Sequence, residues 1–230
     1  MGLSSRVGKA IAPHAGALAP GATSAFIHDV LDRAVNGVGP LPGAARAADK
    51  LLVEHHGDVD AAVSAIVERH VRYAGAQGFL TNLGGLVTLA ATIPANIAGL
   101  AILQCRMVAA VLHLRGYDLH DPRVHNAILA TVLGEEAVLK LIKKRELPGT
   151  PMALATAPAH DPDLDKVVAA QVTAALVTRV AGKKVVTTVG KRVPIMGGVI
   201  GAGTDAWATY QVGRYVRREF LVRPKRQAST

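Results

Sequence analysis

Two histidines and two aspartates fall within eight residues of this 230-residue chain: Asp118, His120, Asp121 and His125. Imidazole and carboxylate groups at that density could hold a divalent metal or share acid–base work. Local chain grammar accounts for the same residues. Asp121 before Pro122 is the pattern of a helix cap followed by proline at the first helical position, and Asp118 follows Gly116 in a turn. On that reading the two histidines are surface polar residues, and no metal or other cofactor is expected. His55 and His56 are adjacent, so a helix would aim them in different directions.

Other chemistries find less support. No serine sits in a Gly-x-Ser-x-Gly elbow, and Cys105, the only cysteine, lies in an apolar run where its thiol pKa would rise. A lone cysteine also rules out an intramolecular disulfide and a cysteine-based zinc site. Gly182-Lys183 and Gly190-Lys191 lack the spacing of a phosphate-binding loop, and GGVIGAG neither matches the dinucleotide fingerprint nor follows a strand. No catalytic residues are therefore assigned.

A sharper pattern lies near the C-terminus. At 100° per residue, Trp207, Tyr210, Arg214, Arg217 and Arg218 share about one third of a helix circumference. Ala208, Val212, Tyr215, Val216 and Phe220 take the opposite side. One side can pack on the body of the protein while the other offers two aromatics and three arginines, a combination suited to anionic headgroups. The competing reading makes the aromatics core residues and the arginines a solvated face. Charge agrees with an anionic partner: from Lys183 to Thr230 there are ten Lys or Arg against Asp205 and Glu219, whereas residues 1 to 182 carry sixteen against fifteen. Nucleic acid is the other polyanion with a claim, but it has no use for the uncharged stretch described next and is disfavoured.

The elements that must position these groups read as helices. Half the residues are hydrophobic but only eight are aromatic, so apolar volume comes from Ala, Val, Leu and Ile with close glycine packing, which favours helices over an aromatic-rich sheet. Thr23 or Ser24 caps a helix through Phe26, Ile27, Val30 and Leu31 that stops near Asn36, and residues 37 to 43 read as a connection. Asp58 caps an amphipathic helix with Val59, Ala62, Val63, Ile66, His70 and Tyr73 on one face, closed by Gly75. Asp121 and Asp161, each before proline, open two more helices, and Glu136 pairs with Lys140 on a short one. Residues 148 to 160, with three prolines and no charge, read as a loop or mobile connection. Gly182 is a place where the helix from Pro162 ends or bends, and the β-branched run that follows is kept helical. The expectation is an all-α, compact multi-helix bundle, with a flexible segment over 1 to 22, a helical domain over 23 to 222 and a basic tail over 223 to 230.

Residues 73 to 105 are thirty-three in a row without a charge. Such a stretch must be buried in protein or in lipid. Pro94 divides it into helical pieces near 83 to 93 and 95 to 115. Gly84 and Gly85 open it; Ala91, Ala95 and Gly99 place small residues on one face, and Gly197 and Gly201 do the same in the last helix. These two faces are the best candidates for mutual packing. The stretch is long enough to span a bilayer, but Asn82, Pro94, Asn96 and Gln104 favour a helical hairpin or re-entrant element over a simple span.

The segments GFLTNLGGLVTLAATIPANIAGLAILQCRMVAAVLHLRGYDLHDPRV and VPIMGGVIGAGTDAWATYQVGRYVRREF, in that order, resemble the EcsC family of bacterial proteins, over roughly residues 65 to 220. The resemblance implies a membrane-proximal or transporter-linked role, since the family takes its name from association with an ABC transporter. It supplies no reaction and no catalytic residues. Pro13, His14 and Pro20 interrupt any signal-peptide core, Arg6 breaks a myristoylation signal, and the single cysteine suits a reducing cytoplasm. The expected protein is non-enzymatic. It sits at the cytoplasmic face of a membrane, partly inserted or peripheral, touching lipid through its glycine-rich helices and basic C-terminal region. Two alternatives stand beside it: a soluble helical module that binds a protein such as an ABC transporter component, and a metal-dependent enzyme built on Asp118 to His125.

Overall fold

Twenty residues, Ala95–Leu114, form a helix that almost every other long element touches. Its inner positions are mostly Ala, Leu, Ile, Val and Met, with no glycine after Gly99, so helix propensity and apolar burial agree. From Ala98 to Leu112 every residue is buried. That answers, for Ala98 to Cys105 of the uncharged stretch, which medium covers it: protein does. Arg106 lies within this helix and is buried as well, donating through its guanidinium to the carbonyl of Pro42.

The computed structural model describes residues 20 to 76, 95 to 189 and 194 to 223. Among them the order is α1 Pro20–Asn36, β1 Gly37–Val38, β2 Leu41–Pro42, α2 Ala44–Glu54, α3 Val59–Gly75, α4 Ala95–Leu114, α5 Pro122–Leu133, α6 Glu135–Lys143, α7 Pro151–Ala155, α8 Pro162–Val189 and α9 Pro194–Glu219. The fold is all-α. Helices α1, α2, α3, α5, α8 and α9 pack around α4, and α9 lies along α3. One main hydrophobic core runs through these helices, and Ala74, Leu100 and Leu103 form a separate small cluster.

Several ends follow local rules. The Asp58 carboxylate accepts from the amide of Ala61 at 3.0 Å, and Asp121 accepts from Arg123 at 2.8 Å, so both caps form where the sequence places them. Helix α4 closes on a Schellman motif: Tyr117 N–H donates to Leu112 and Gly116 N–H to His113, each at 3.0 Å, with Gly116 at φ +83°. The same motif ends α2 and α6, but with His56 and Arg145 in the left-handed position.

Several local features differ from the sequence expectation. Residues 37 to 42 form a minimal hairpin, pairing Gly37 with Pro42 and Val38 with Leu41. Helix α2 occupies 44 to 54, which carried no assignment. The proline-rich segment is not simply a loop: it contains α7, whose Pro151, Leu154 and Ala155 are buried, and this helix packs against α5. Gly182 does not end α8, which continues to Val189. Helix α1 opens at Pro20, ahead of Thr23, and Arg223 at the other end is hydrogen-bonded to the body through Arg115.

Gly84, Gly85 and Ala91, with the whole piece near 83 to 93, lie outside the described residues. Ala95 opens α4, Gly99 is buried in it, and Gly197 and Gly201 lie in α9. Helices α4 and α9 are in contact, and one polar link between them is the Gln104 amide donating to the Thr209 hydroxyl at 3.1 Å. Among the described residues no helix is long and apolar enough to cross a membrane.

Candidate functional site

The four residues from Asp118 to His125 do not converge on a shared point. Asp118 accepts from the backbone amide of His120 at 2.9 Å, a local turn. Asp121 caps α5 and holds the Arg123 guanidinium through both carboxylate oxygens, and the bond from Arg123 keeps its pKa below the usual carboxylate range. His125 donates from Nε2 to the Leu119 carbonyl at 2.7 Å. Asp118, Asp121 and His125 are thus engaged in shaping the turn between α4 and α5. Among the described residues no three His, Cys, Asp or Glu side chains gather as a metal would need.

A different His–Asp pair forms where no spacing rule pointed. His160 Nε2 meets Asp165 at 2.9 Å, and the Asn126 amide donates to the same carboxylate at 2.7 Å. His160 precedes the Asp161 cap and Asp165 lies in the first turn of α8, the positions at which a hydrophobic staple often fixes a helix entry. The pair does that work with a polar contact, and the Asn126 bond to Asp165 ties α8 to α5. Asp161 itself accepts from Asp163 at 3.0 Å.

Helix α9 presents two unlike faces. Val212, Tyr215, Val216 and Phe220 are buried, and Ala208 is half-buried. On the other side Trp207 is 60% exposed and Tyr210 41%, their rings 5.8 Å apart and tilted by 34°. Arg214, Arg217 and Arg218 are exposed on that side too. Neither aromatic belongs to the core. What holds the helix in this rotation is its inner face: Gly213 meets Val67 of α3, Gly75 faces Ala206, and the Thr209 hydroxyl, fully buried, donates to its own helix at Asp205 while accepting from Gln104.

Beside this face runs a groove of about 620 Å³ between α9 and the α5–α6 junction, lined among others by Arg214, Arg218, Lys140, Glu135, Glu136 and Tyr215. Arg218 pairs with Glu135 at 2.6 Å and Lys140 with Glu136 at 2.6 Å, as the four-residue spacing of the latter pair requires. Burial, together with the carboxylates of Glu219 and Glu135, pushes the Tyr215 phenol far above its ordinary pKa, so it stays neutral.

The end of α9 is fastened to the end of α4. The buried Arg115 guanidinium donates to the carbonyl of Arg217 at 2.8 Å and also to that of Phe220. In return the amide of Arg223 donates to the Arg115 carbonyl at 2.8 Å. Phe220 packs edge-on against Tyr117, and the Arg223 guanidinium lies over the same ring, each at 5.3 Å. Gly116 is required here, since a β-carbon would stand 2.7 Å from the Arg223 carbonyl oxygen. Sequence reading missed Arg115 and Tyr117. The one hint was an arginine directly after a long apolar helix, ahead of its closing glycine.

No protein-family model, no curated protein and no solved structure matches the chain.

Proposed function

We propose that this chain is a non-enzymatic helical protein of the cytoplasmic membrane face, of the EcsC type its residues resemble, and that it holds anionic lipid through the outward face of α9. The observation that carries the reading is the joint exposure of Trp207, Tyr210, Arg214, Arg217 and Arg218 on one side of a helix whose other side is buried. Aromatic rings settle at headgroup depth and guanidiniums bind lipid phosphates, so the set forms an interfacial contact. Because α4 is enclosed by the other helices, the contact is a surface of the folded bundle and needs no unpacking of that helix. Each basic side chain near an anionic leaflet contributes about 1 kcal/mol.

Flotation with phosphatidylglycerol vesicles, set against phosphatidylcholine alone, tests the reading. Wild-type protein should float with the anionic vesicles at low salt and less as salt rises, and replacing Arg214, Arg217 and Arg218 together by Gln should abolish flotation. Equal flotation of this variant and the wild type would overturn the proposal.

A second reading, a module that binds a protein such as a transporter component, draws on the groove beside α9. Its Glu135, Glu136, Lys140, Arg214 and Arg218 offer both signs of charge, which suits a polar protein segment better than a uniform anionic surface. Recovery in detergent-free buffer with no vesicle binding, together with capture of a transporter subunit that fails when Glu135 and Glu136 are replaced by Lys, would favour it.

A further inference from the structure

Two aliphatic side chains stand in solvent where the chain leaves α9. Leu221 is 66% exposed and Val222 61%, although the residues on either side of them are fastened to the body. Phe220 is buried against Tyr117, and Arg115 binds the carbonyls before the pair. The Tyr117 hydroxyl donates to the Leu221 carbonyl at 3.3 Å, and the amide of Arg223 is held by Arg115 at 2.8 Å. A loose tail could fold such side chains back onto the surface. Here the backbone is secured before and after them, so the two side chains are kept outward.

Charge identifies the occupant of this patch. Arg217 and Arg223 flank the pair, Arg218 stands beside them in its exposed pair with Glu135, and Lys225 and Arg226 follow in sequence. The one carboxylate among residues 214 to 226, Glu219, accepts from the amide of Met152 at 2.9 Å. A bilayer with acidic lipids offers phosphate to the guanidiniums and hydrocarbon to the aliphatic pair in the same depth order. We infer that Leu221 and Val222 are an anchor that enters an anionic bilayer, with Arg217, Arg218 and Arg223 at headgroup level. The inference rests on the membrane reading above and adds a second point of contact, about 20 Å from Trp207 at the ordinary helical rise. Two points that far apart lay α9 along the membrane surface.

The test uses full-length protein with phosphatidylglycerol–phosphatidylcholine vesicles. Trp207, the only tryptophan, reports on one point of contact. A bimane label carried by V222C, in a C105A background that leaves one thiol, reports on the other. Both emissions should shift to the blue on binding, and L221S/V222S, made with Cys105 intact, should bind about ten-fold more weakly, the loss of a modest apolar burial. If Trp207 shifts while the label does not, or if L221S/V222S binds as tightly as wild type, the anchor is overturned and the membrane reading stands. If wild type binds no vesicles, both fall. If the label shifts without vesicles as protein concentration rises, the pair is a self-association contact and the anchor is overturned.

Discussion

Gly213 of α9 lies so close to Val67 of α3 that a β-carbon built on it would stand 2.5 Å from Val67 Cγ1 and 3.2 Å from Cγ2. The approach of Gly75 to Ala206 further along makes the two helices antiparallel, and it is this contact that turns Trp207 and Tyr210 away from the core. Glycine costs a helix about 1 kcal/mol relative to alanine, so its place here is justified only by the close approach.

Gly213→Ala should therefore destabilise the protein despite the gain in helix propensity. Overpacking of a filled core costs about 1–3 kcal/mol, leaving a net loss on the order of 1 kcal/mol. Urea denaturation measures it, and the cost should shrink in a V67A background. Unchanged or raised stability of G213A would show that Val67 gives way freely.

Arg115→Met should loosen the end of α9. The carbonyls of Arg217 and Phe220 lose their donor, and a buried polar group left unpaired costs about 1–3 kcal/mol. Exchange at the Arg223 amide, which Arg115 protects, should rise well above that of amides in the middle of α4. Arg115→Lys keeps the charge without the planar fork and should fall between the two. Unaltered Arg223 exchange in the Met variant would refute the role assigned to this side chain.

Stability should fall as pH drops from about 6.5 to about 4, and His70 is the reason. Its Nδ1 donates to the Ile66 carbonyl at 2.8 Å, so the neutral ring keeps its lone pair on Nε2, which has no partner among the described residues. Burial lowers its pKa from 6.5 to about 4; the bond to Ile66 opposes this, and the charges of Arg106 and Arg69 assist it. Between those values the unfolded chain binds the proton and the native protein does not. The contribution is complete above the unfolded value and declines by roughly 3 kcal/mol on acidification to the folded one. Denaturation midpoints at pH 7 and pH 4.5 check the sign, and His70→Leu should flatten this part of the profile.

His56→Gly should stabilise the protein. His56 closes α2 with φ +54°, where a side chain strains the backbone by about 1–2 kcal/mol and glycine does not. Part of that gain is lost to the freer unfolded chain, leaving about 0.5–1 kcal/mol as a raised melting temperature. The Schellman hydrogen bonds from Gly57 to Leu52 and from His56 to Val53 should persist.

Legibility in the sequence tracked how local each signal was. The caps at Asp58 and Asp121 and the pair of Glu136 with Lys140 involve groups two to four residues apart, and all formed. Helix α2 has Ala44, Ala48 and Leu51 on one buried face, but Gly43 gives it no side-chain cap, so nothing marked its start. Helix α7 is five residues long, too short for any period, and is held by burial rather than propensity. The hairpin of two-residue strands is too brief to alternate.

The candidate site divides in the same way. Helical periodicity alone put Trp207, Tyr210 and the three arginines on one side of α9 and Val212, Tyr215, Val216 and Phe220 on the other, because a period of 3.6 is a property of the chain. It left open which side would face inward, and the contacts of α9 with Val67 and Gln104 decided that. Composition likewise predicted burial of the uncharged stretch, since water cannot solvate so many apolar groups cheaply; Ala98 to Cys105 are buried, whereas Tyr73 and Ala76 at its start are exposed. Only the packing of α1, α2, α3, α5, α8 and α9 around α4 made protein the medium that covers Ala98 to Leu112. Arg115, Tyr117 and residues 220 to 223 were invisible for the same reason: they meet across about a hundred residues, and no local rule carries over that distance.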